Sequence, residues 1–288
     1  ASSPLHDVEG PRVSVVVIAR EGGPLAADCL AAIDRQRWPL ELIVVDLSGT
    51  VRQVPRGGTL LRLPGLTEAE AIGRGLAKAT GHAVALVGDE DLWLPGTLHA
   101  LGTALFADPD RAAVVGDRVL VDGRGEWPLA YHPAPRVPSD RGVEVVLGCG
   151  GCLRGRSLVR RDVLLALGDP RVELGEAALP DLFVQVGRAG LVETLPLPVV
   201  RTRADDGKVP DQHVEQLRQL VDRRLADETT DPGNPWVALV TSRVASLSLM
   251  SVHIERNLKM LTSSLLKPWR FCRKNTGPLL SSLMAMAA

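Results

Sequence analysis

The chain has 288 residues, 45% of them hydrophobic, enough to bury the core of one large domain or of a domain with an appendage. Its 33 basic residues balance 34 acidic ones, so no overall field draws it to nucleic acid. Four cysteines are few for a disulfide scaffold, no signal-peptide h-region opens the sequence, and no uninterrupted apolar run nears the ~20 residues of a membrane span. These features point to a reduced, cytoplasmic protein whose membrane contact, if it has one, is peripheral.

The first predicted element is VSVVVIA (13–19), a continuous β-branched run of the kind found in a parallel strand covered on both faces. Pro24 then opens a helix in which Leu25, Cys29, Leu30 and Ile33 recur at helical spacing, and the Trp38-Pro39 pair ends it. ELIVVD (41–46) is the second strand and TLLRL (59–63) the third. Thr67 and Glu70 form a capping box for the helix EAEAIGRGLAKA, which is expected to run to Gly81.

AVALV (83–87) is the fourth strand, and Pro95 opens the helix PGTLHALGTALF. AAVVGDRVLVDGRGE reads as an extended stretch with a turn at Asp122-Gly123. PLAYHPAPRVPSDRG is proline-rich and is expected to be a loop. A helix is expected at SLVRRDVLLALG, a short one near DLFVQVGRAG, and a strand at VETLPLPVV. From Asp211 the pattern is helical, with Val214, Leu217, Val221 and Leu225 on one stripe. Repeated strand-then-helix units predict an α/β fold with a mostly parallel central sheet and right-handed crossovers.

Ligands of such sheets bind at the carboxyl ends of the strands. Here those ends are Ala19-Arg20-Glu21, Asp46 and the turn Asp89-Glu90-Asp91. Three adjacent acids repel one another unless a cation or firm hydrogen bonding holds them. With Asp46 at a neighbouring strand end, the acids suit a hard divalent cation with oxygen ligands, and such a cation suits phosphates. The bland alternatives are a solvated turn for residues 89–91 and a turn cap for Asp46.

The order of these signals resembles the family 2 glycosyltransferases, nucleotide-sugar enzymes with a GT-A fold. The resemblance is carried by VSVVVIAREGGPLAADCLAAIDRQRWPLELIVVD, AIGRGLAKATGHAVALVGDEDLWLPGTL and RSLVRRDVLLALG, and more weakly by VQVGRAGLVETLPLPVVRTR. It covers roughly residues 13–205 and implies a Rossmann-like GT-A domain over 13–210, after an N-terminal tail at 1–12. It also implies a donor site for a nucleotide diphosphate sugar formed by Ala19, Arg20, Glu21, Asp46, Arg74 and Asp89, and Mn or Mg on Asp89, Glu90 and Asp91. Such a metal offsets phosphate charge and helps the nucleoside diphosphate leave. The implied role is inverting hexosyl transfer to a glycan or lipid-linked acceptor, in polysaccharide biosynthesis at the inner face of the membrane.

Several positions depart from the family pattern. Asp46-Leu47 stands where two acids are usual, and Ile72-Gly73 stands where an Arg-Asn pair is often found, with Arg74 close by. Anchoring the acidic turn on Trp93-x-Pro95 puts Gly88 at the family's first Asp and Glu90 at its usual metal ligand, whereas the literal D-x-D is Asp89 to Asp91. The family's E-D pair, which supplies the general base, falls on Ala178-Leu179, with Glu176 and Asp181 flanking the gap as candidate catalytic acids. These departures support an alternative, a degenerate GT-A domain that binds sugar, nucleotide or a protein without turnover. A nucleotidyltransferase would want a glycine-rich basic loop after the first strand, for which AREGGP is short.

Three further features complete the sequence. Cys149 and Cys152 form a C-x-x-C without a thioredoxin-like context or two further ligands, so a small-residue packing segment is expected there. His132 is expected to be a surface histidine. Residues 211–288 are expected to be a helical extension that is basic at its end, where Glu255 is the one acid against Arg256, Lys259, Lys267, Arg270, Arg273 and Lys274. Trp269 and Phe271 among those bases suit anionic lipid headgroups.

Overall fold

The structure is a computed structural model and describes residues 10–204. The helical extension expected over 211–288, its basic end and the first nine residues of the N-terminal tail lie outside the described residues.

Nine strands and six α-helices form the described part. They are β1 (Val13–Ala19), α1 (Gly23–Asp34), β2 (Leu40–Asp46), β3 (Thr59–Arg62), α2 (Glu68–Leu76), β4 (Ala83–Gly88), β5 (Asp91–Trp93), α3 (Thr97–Phe106), β6 (Arg111–Val121), β7 (Pro128–His132), α4 (Gly142–Gly148), β8 (Ser157–Arg160), α5 (Arg161–Leu167), α6 (Ala178–Ala189) and β9 (Leu191–Arg203). The sheet order is β3-β2-β1-β4-β8-β6-β9-β5, with β7 paired to β6. The β3-β2-β1-β4 half is parallel throughout, and the β6–β9 pairing is parallel as well. β8 is antiparallel to both β4 and β6, which turns the sheet from one half to the other.

The apolar runs form the strands for the expected reason: β1 and β4 are buried along their whole length, because helices cover both faces of the sheet. Cys29, Leu30 and Ile33 of α1 pack with Val15, Val17, Val44 and Val87 from the strands in one apolar cluster. The Thr67–Glu70 capping box is present and starts α2.

Three expectations need correction. α2 stops at Leu76 rather than running to Gly81, because residues 77–81 turn so that the Gly81 amide can donate to Ser14 and Glu41 at the start of β1 and β2. PLAYH is strand β7 rather than loop, since its backbone completes a hairpin with β6. SLVR is strand β8 rather than the start of a helix, and only Arg161–Leu167 is helical. Four residues cannot display a helical period against a strand period, so pairing with β4 and β6 decides. No described helix is long and apolar enough to cross a membrane.

Candidate functional site

The strands β1 and β4 lie side by side with Ile18 opposite Gly88, so the loops that leave their carboxyl ends start together. Asp89 joins them: its Oδ2 accepts the backbone N–H groups of Glu21 at 2.9 Å and Gly22 at 2.7 Å. Two residues on, Asp91 opens β5, accepting the Gly88 N–H at 3.0 Å on Oδ2 and the Thr202 hydroxyl at 2.6 Å on Oδ1. Asp89 and Asp91 are 0% and 2% exposed, so the turn is not the solvated surface turn of the bland reading. Gly155 passes so close that a Cβ on it would lie 2.3 Å from Asp91 Oδ2, and its φ of +74° also calls for glycine.

Glu90 sits between these two acids in a different environment. Its Oε1 is ion-paired with the Arg154 guanidinium and lies 3.6 Å from Arg20 Nη2. Arg154 also grips Glu68, the first residue of α2, and Arg20 Nη1 is 3.7 Å from the same carboxylate. Two arginines and two glutamates therefore interlock across the ends of β1, β4 and α2. Arg118 on β6 joins from the far side by donating to the Arg154 carbonyl.

Gly88 explains how a glutamate fits at position 90. A Cβ on Gly88 would stand 2.2 Å from Glu90 Oε2. The longer side chain folds back into the space that a side chain at 88 would fill, so the Gly88–Glu90 pair is mutually compensating.

The electrostatics follow from the same contacts. Burial pushes the Asp89 carboxyl up, with Glu90 adding to it, while the Gly22 and Glu21 N–H groups pull the other way. Burial and the Glu90 charge raise Asp91. Glu90 itself moves down: burial opposes its charge, but Arg154 and Arg20 outweigh burial. Burial also opposes the Arg154 charge, and Glu90 and Glu68 overcome that and keep it protonated.

Among the described residues no group of three His, Cys, Asp or Glu side chains is gathered for a metal ion. Two buried carboxylate oxygens of the turn have no hydrogen-bond partner, Asp89 Oδ1 and Glu90 Oε2. Mg takes one or two carboxylates when substrate phosphates complete its shell, so Asp89 and Glu90 fit such an ion. Asp91 does not, because both of its oxygens already hold β5 in place.

The other expected residues are placed as follows. The Ala19 carbonyl accepts the N–H groups of Leu47 and Ser48, and Asp46 accepts from Ser48 Oγ, Gly49 N and Val51 N, so both organise the loop after β2. For Asp46 this is the turn-capping role. Glu21 is exposed and contributes its backbone N–H. Arg74 lies about 9 Å further along the α2 axis than Glu68 and lines a surface groove with Leu61, Leu63, Leu66, Ala77 and Lys78, away from the acidic turn.

Glu176 is exposed in a short 3₁₀ segment, Val172–Ala177, that packs against α2. Asp181 is 3% exposed, and both its oxygens accept from Arg171, at 3.0 and 2.9 Å. Cys149 and Cys152 are free thiols, and burial raises Cys149, which makes it a poor thiolate and agrees with a packing role. His132 is exposed on β7. The residues that sequence reasoning missed are Glu68 and Arg154. Glu68 was visible only as part of a helix start, and Arg154 carried no signal beyond its glycine-rich surroundings.

No protein-family profile and no curated protein matches the sequence. Solved structures do match. The 1–349 portion of S. aureus TarS in complex with UDP-GlcNAc aligns with a TM-score of 0.58 at 16% identity, over 82% of this chain and 71% of that one. The mannosyltransferase PcManGT from Pyrobaculum calidifontis, in complex with GDP-Man and Mn2+, aligns with a TM-score of 0.55 at 19% identity, over 92% and 83%. The fold is GT-A. In this GT-A domain the acidic turn, the loop after β1 and the N-terminus of α2 share one rim, at the carboxyl ends of the parallel strands.

Proposed function

We propose that the chain is a glycosyltransferase that moves a sugar from a nucleoside diphosphate sugar to a glycan or lipid-linked acceptor. The observation that carries this is the pair of buried, partnerless carboxylate oxygens on Asp89 and Glu90, at the strand ends of a GT-A sheet. The neighbours in complex with UDP-GlcNAc and with GDP-Man and Mn2+ support it. Asp89 and Glu90 would hold Mn or Mg, which when bound supplies the charge that steadies a departing diphosphate. Arg20 and the Glu21–Gly22 backbone border the same rim. Asp46 shapes the loop beside it, and Arg74 on α2 is left for a remote part of the donor.

An inverting transfer needs a carboxylate to take the acceptor's proton. Asp181 is 3% exposed whereas Glu176 is exposed, so Glu176 is the one of the two that an acceptor can reach. Replacement of Glu176 by Gln should then lower turnover by about 10²-fold or more and leave donor binding unchanged.

The second reading, a GT-A module that binds without turnover, is favoured by the buried, apolar Ala178 and Leu179 where the general base is expected. Calorimetry with UDP and GDP, in Mn and in EDTA, separates the readings. A donor site predicts binding at least about tenfold tighter with Mn, and loss of that gain in Glu90→Gln, because a bound dication supplies the positive charge that the diphosphate needs. Metal-dependent binding with no transfer across a donor and acceptor panel would leave the binding module. Nucleotide binding that is absent, or indifferent to metal, would sink the transferase and leave a module for sugar or protein.

A further inference from the structure

The Arg154 guanidinium is held by Glu90 and Glu68, its side chain is 13% exposed, and Arg20 supplies a second positive charge 3.6 Å from the same Glu90 oxygen. One ligand of the metal site proposed above is thus already neutralised by cations built into the chain. A dication brought to Glu90 meets these guanidinium groups, and like charges so close repel even where water screens them. A nucleoside diphosphate changes the balance, since its phosphates attract the arginines and supply oxygen ligands that the protein lacks.

We infer that Arg154 is a positioning residue acting through Glu90: in the nucleotide-free protein it weakens entry of the divalent ion, so that ion and nucleoside diphosphate bind as a pair and neither binds well alone. The inference rests on the metal reading above and adds a resident cation to it. Linkage makes the effect reciprocal, so the factor by which diphosphate strengthens the ion is the factor by which the ion strengthens diphosphate. Arg20 acts in the same sense but more weakly, because its side chain is 46% exposed and stands further from Glu90.

The test titrates the full chain with Mn2+ alone and reads the free ion by electron paramagnetic resonance, then repeats the titration with saturating UDP or GDP. Arg154→Gln should bind Mn2+ alone on the order of tenfold more tightly than the unmodified chain, from loss of a full charge beside a ligand. It should also lose most of the strengthening that nucleotide gives. Arg154→Lys, which keeps the charge, should stay close to the unmodified chain. Damage to the fold weakens binding, so a gain in affinity is a signature that a merely structural role does not produce.

Unchanged or weaker Mn2+ binding by a folded Arg154→Gln chain overturns the inference. If that variant does not fold, Arg20→Gln takes its place, with a two- to threefold gain expected and the absence of any gain decisive against the idea. The donor reading fails separately, when neither UDP nor GDP binds the unmodified chain, while the Mn2+ titration alone still decides the role of Arg154. If Mn2+ binds neither the unmodified chain nor the variant, the metal reading and this inference fall together.

Discussion

All seven residues of β1 are buried, and its partners β2 and β4 continue the same apolar layer, with Ser14 and Asp46 the buried polar residues of the three strands. At β8 and beyond it, the buried residues include Asp117 of β6, Ser157 of β8 and Arg156 just before β8. Arg156 is 2% exposed and spends its guanidinium on two backbone carbonyls, Gly116 at 2.8 Å and His132 at 3.0 Å. Arg160 does the same for Arg111, Leu105 and Asp108. Asp117 gathers Arg136, Tyr131 and the Ala134 N–H, and so closes the loop after β7 onto β6. One half is held by burial of hydrocarbon, which is non-directional and tolerant of small losses. The other buries Val114, Val115, Leu158 and Val199 as well, but adds side chains that satisfy backbone groups, where one loss strands several partners.

The sharpest way to break this contrast is to remove one residue from each half. Arg156→Met leaves the Gly116 and His132 carbonyls without their donor and should cost about 3 kcal/mol in urea unfolding. Ile18→Val, at a fully buried position of β1, should cost about 1 kcal/mol. Equal losses would show that both halves rest on the same kind of interaction.

Glycines in the two halves sharpen the comparison at smaller effect. Helices α4 and α6 touch through backbone: a Cβ on Gly187 would come within 2.8 Å of the Gly142 carbonyl carbon and 2.9 Å of the Val143 nitrogen. Backbone has nowhere to go, so Gly187→Ala should cost about 2 kcal/mol. A Cβ on Gly73 of α2 would meet Asp169 Oδ1 at an ordinary 3.4 Å. Gly73→Ala should therefore stabilise by roughly 0.5 kcal/mol, through helix propensity and a less flexible unfolded chain. Thermal unfolding of both variants reads the difference in sign.

The comparison also extends to pH. Glu41 is partly buried, which raises its carboxyl, but donors from Ser14, Thr80 and Gly81 outweigh that and hold it below the ordinary 4.5. A lowered folded value means that Glu41 contributes stability above the unfolded value and loses it as pH falls from about 4.5 through the folded one. Glu41→Gln should flatten the acid limb of the stability curve there and cost about 1 kcal/mol at pH 7. An unaltered acid limb would place the titration elsewhere, with Asp117 of the other half the next candidate, since its donors hold it low despite its burial.

Much of the parallel half was legible because its signals are local. VSVVVIA is β1 to the residue, ELIVVD lacks only Leu40 of β2, and the Thr67–Glu70 box marks the start of α2. Continuous apolar runs, a cap and a proline each act within a few residues, so composition and spacing report them. By itself the sequence determined the strand-then-helix order and the placing of acids at strand ends. Only the tertiary structure decided that Asp91 holds β5 while Asp89 and Glu90 keep an oxygen open, that Arg171 occupies Asp181, and that Arg154 meets Glu90 across 64 positions of chain. The physical reason is range: which partner satisfies a carboxylate depends on side chains that only sheet pairing and loop closure bring together, and no period in the sequence encodes that meeting.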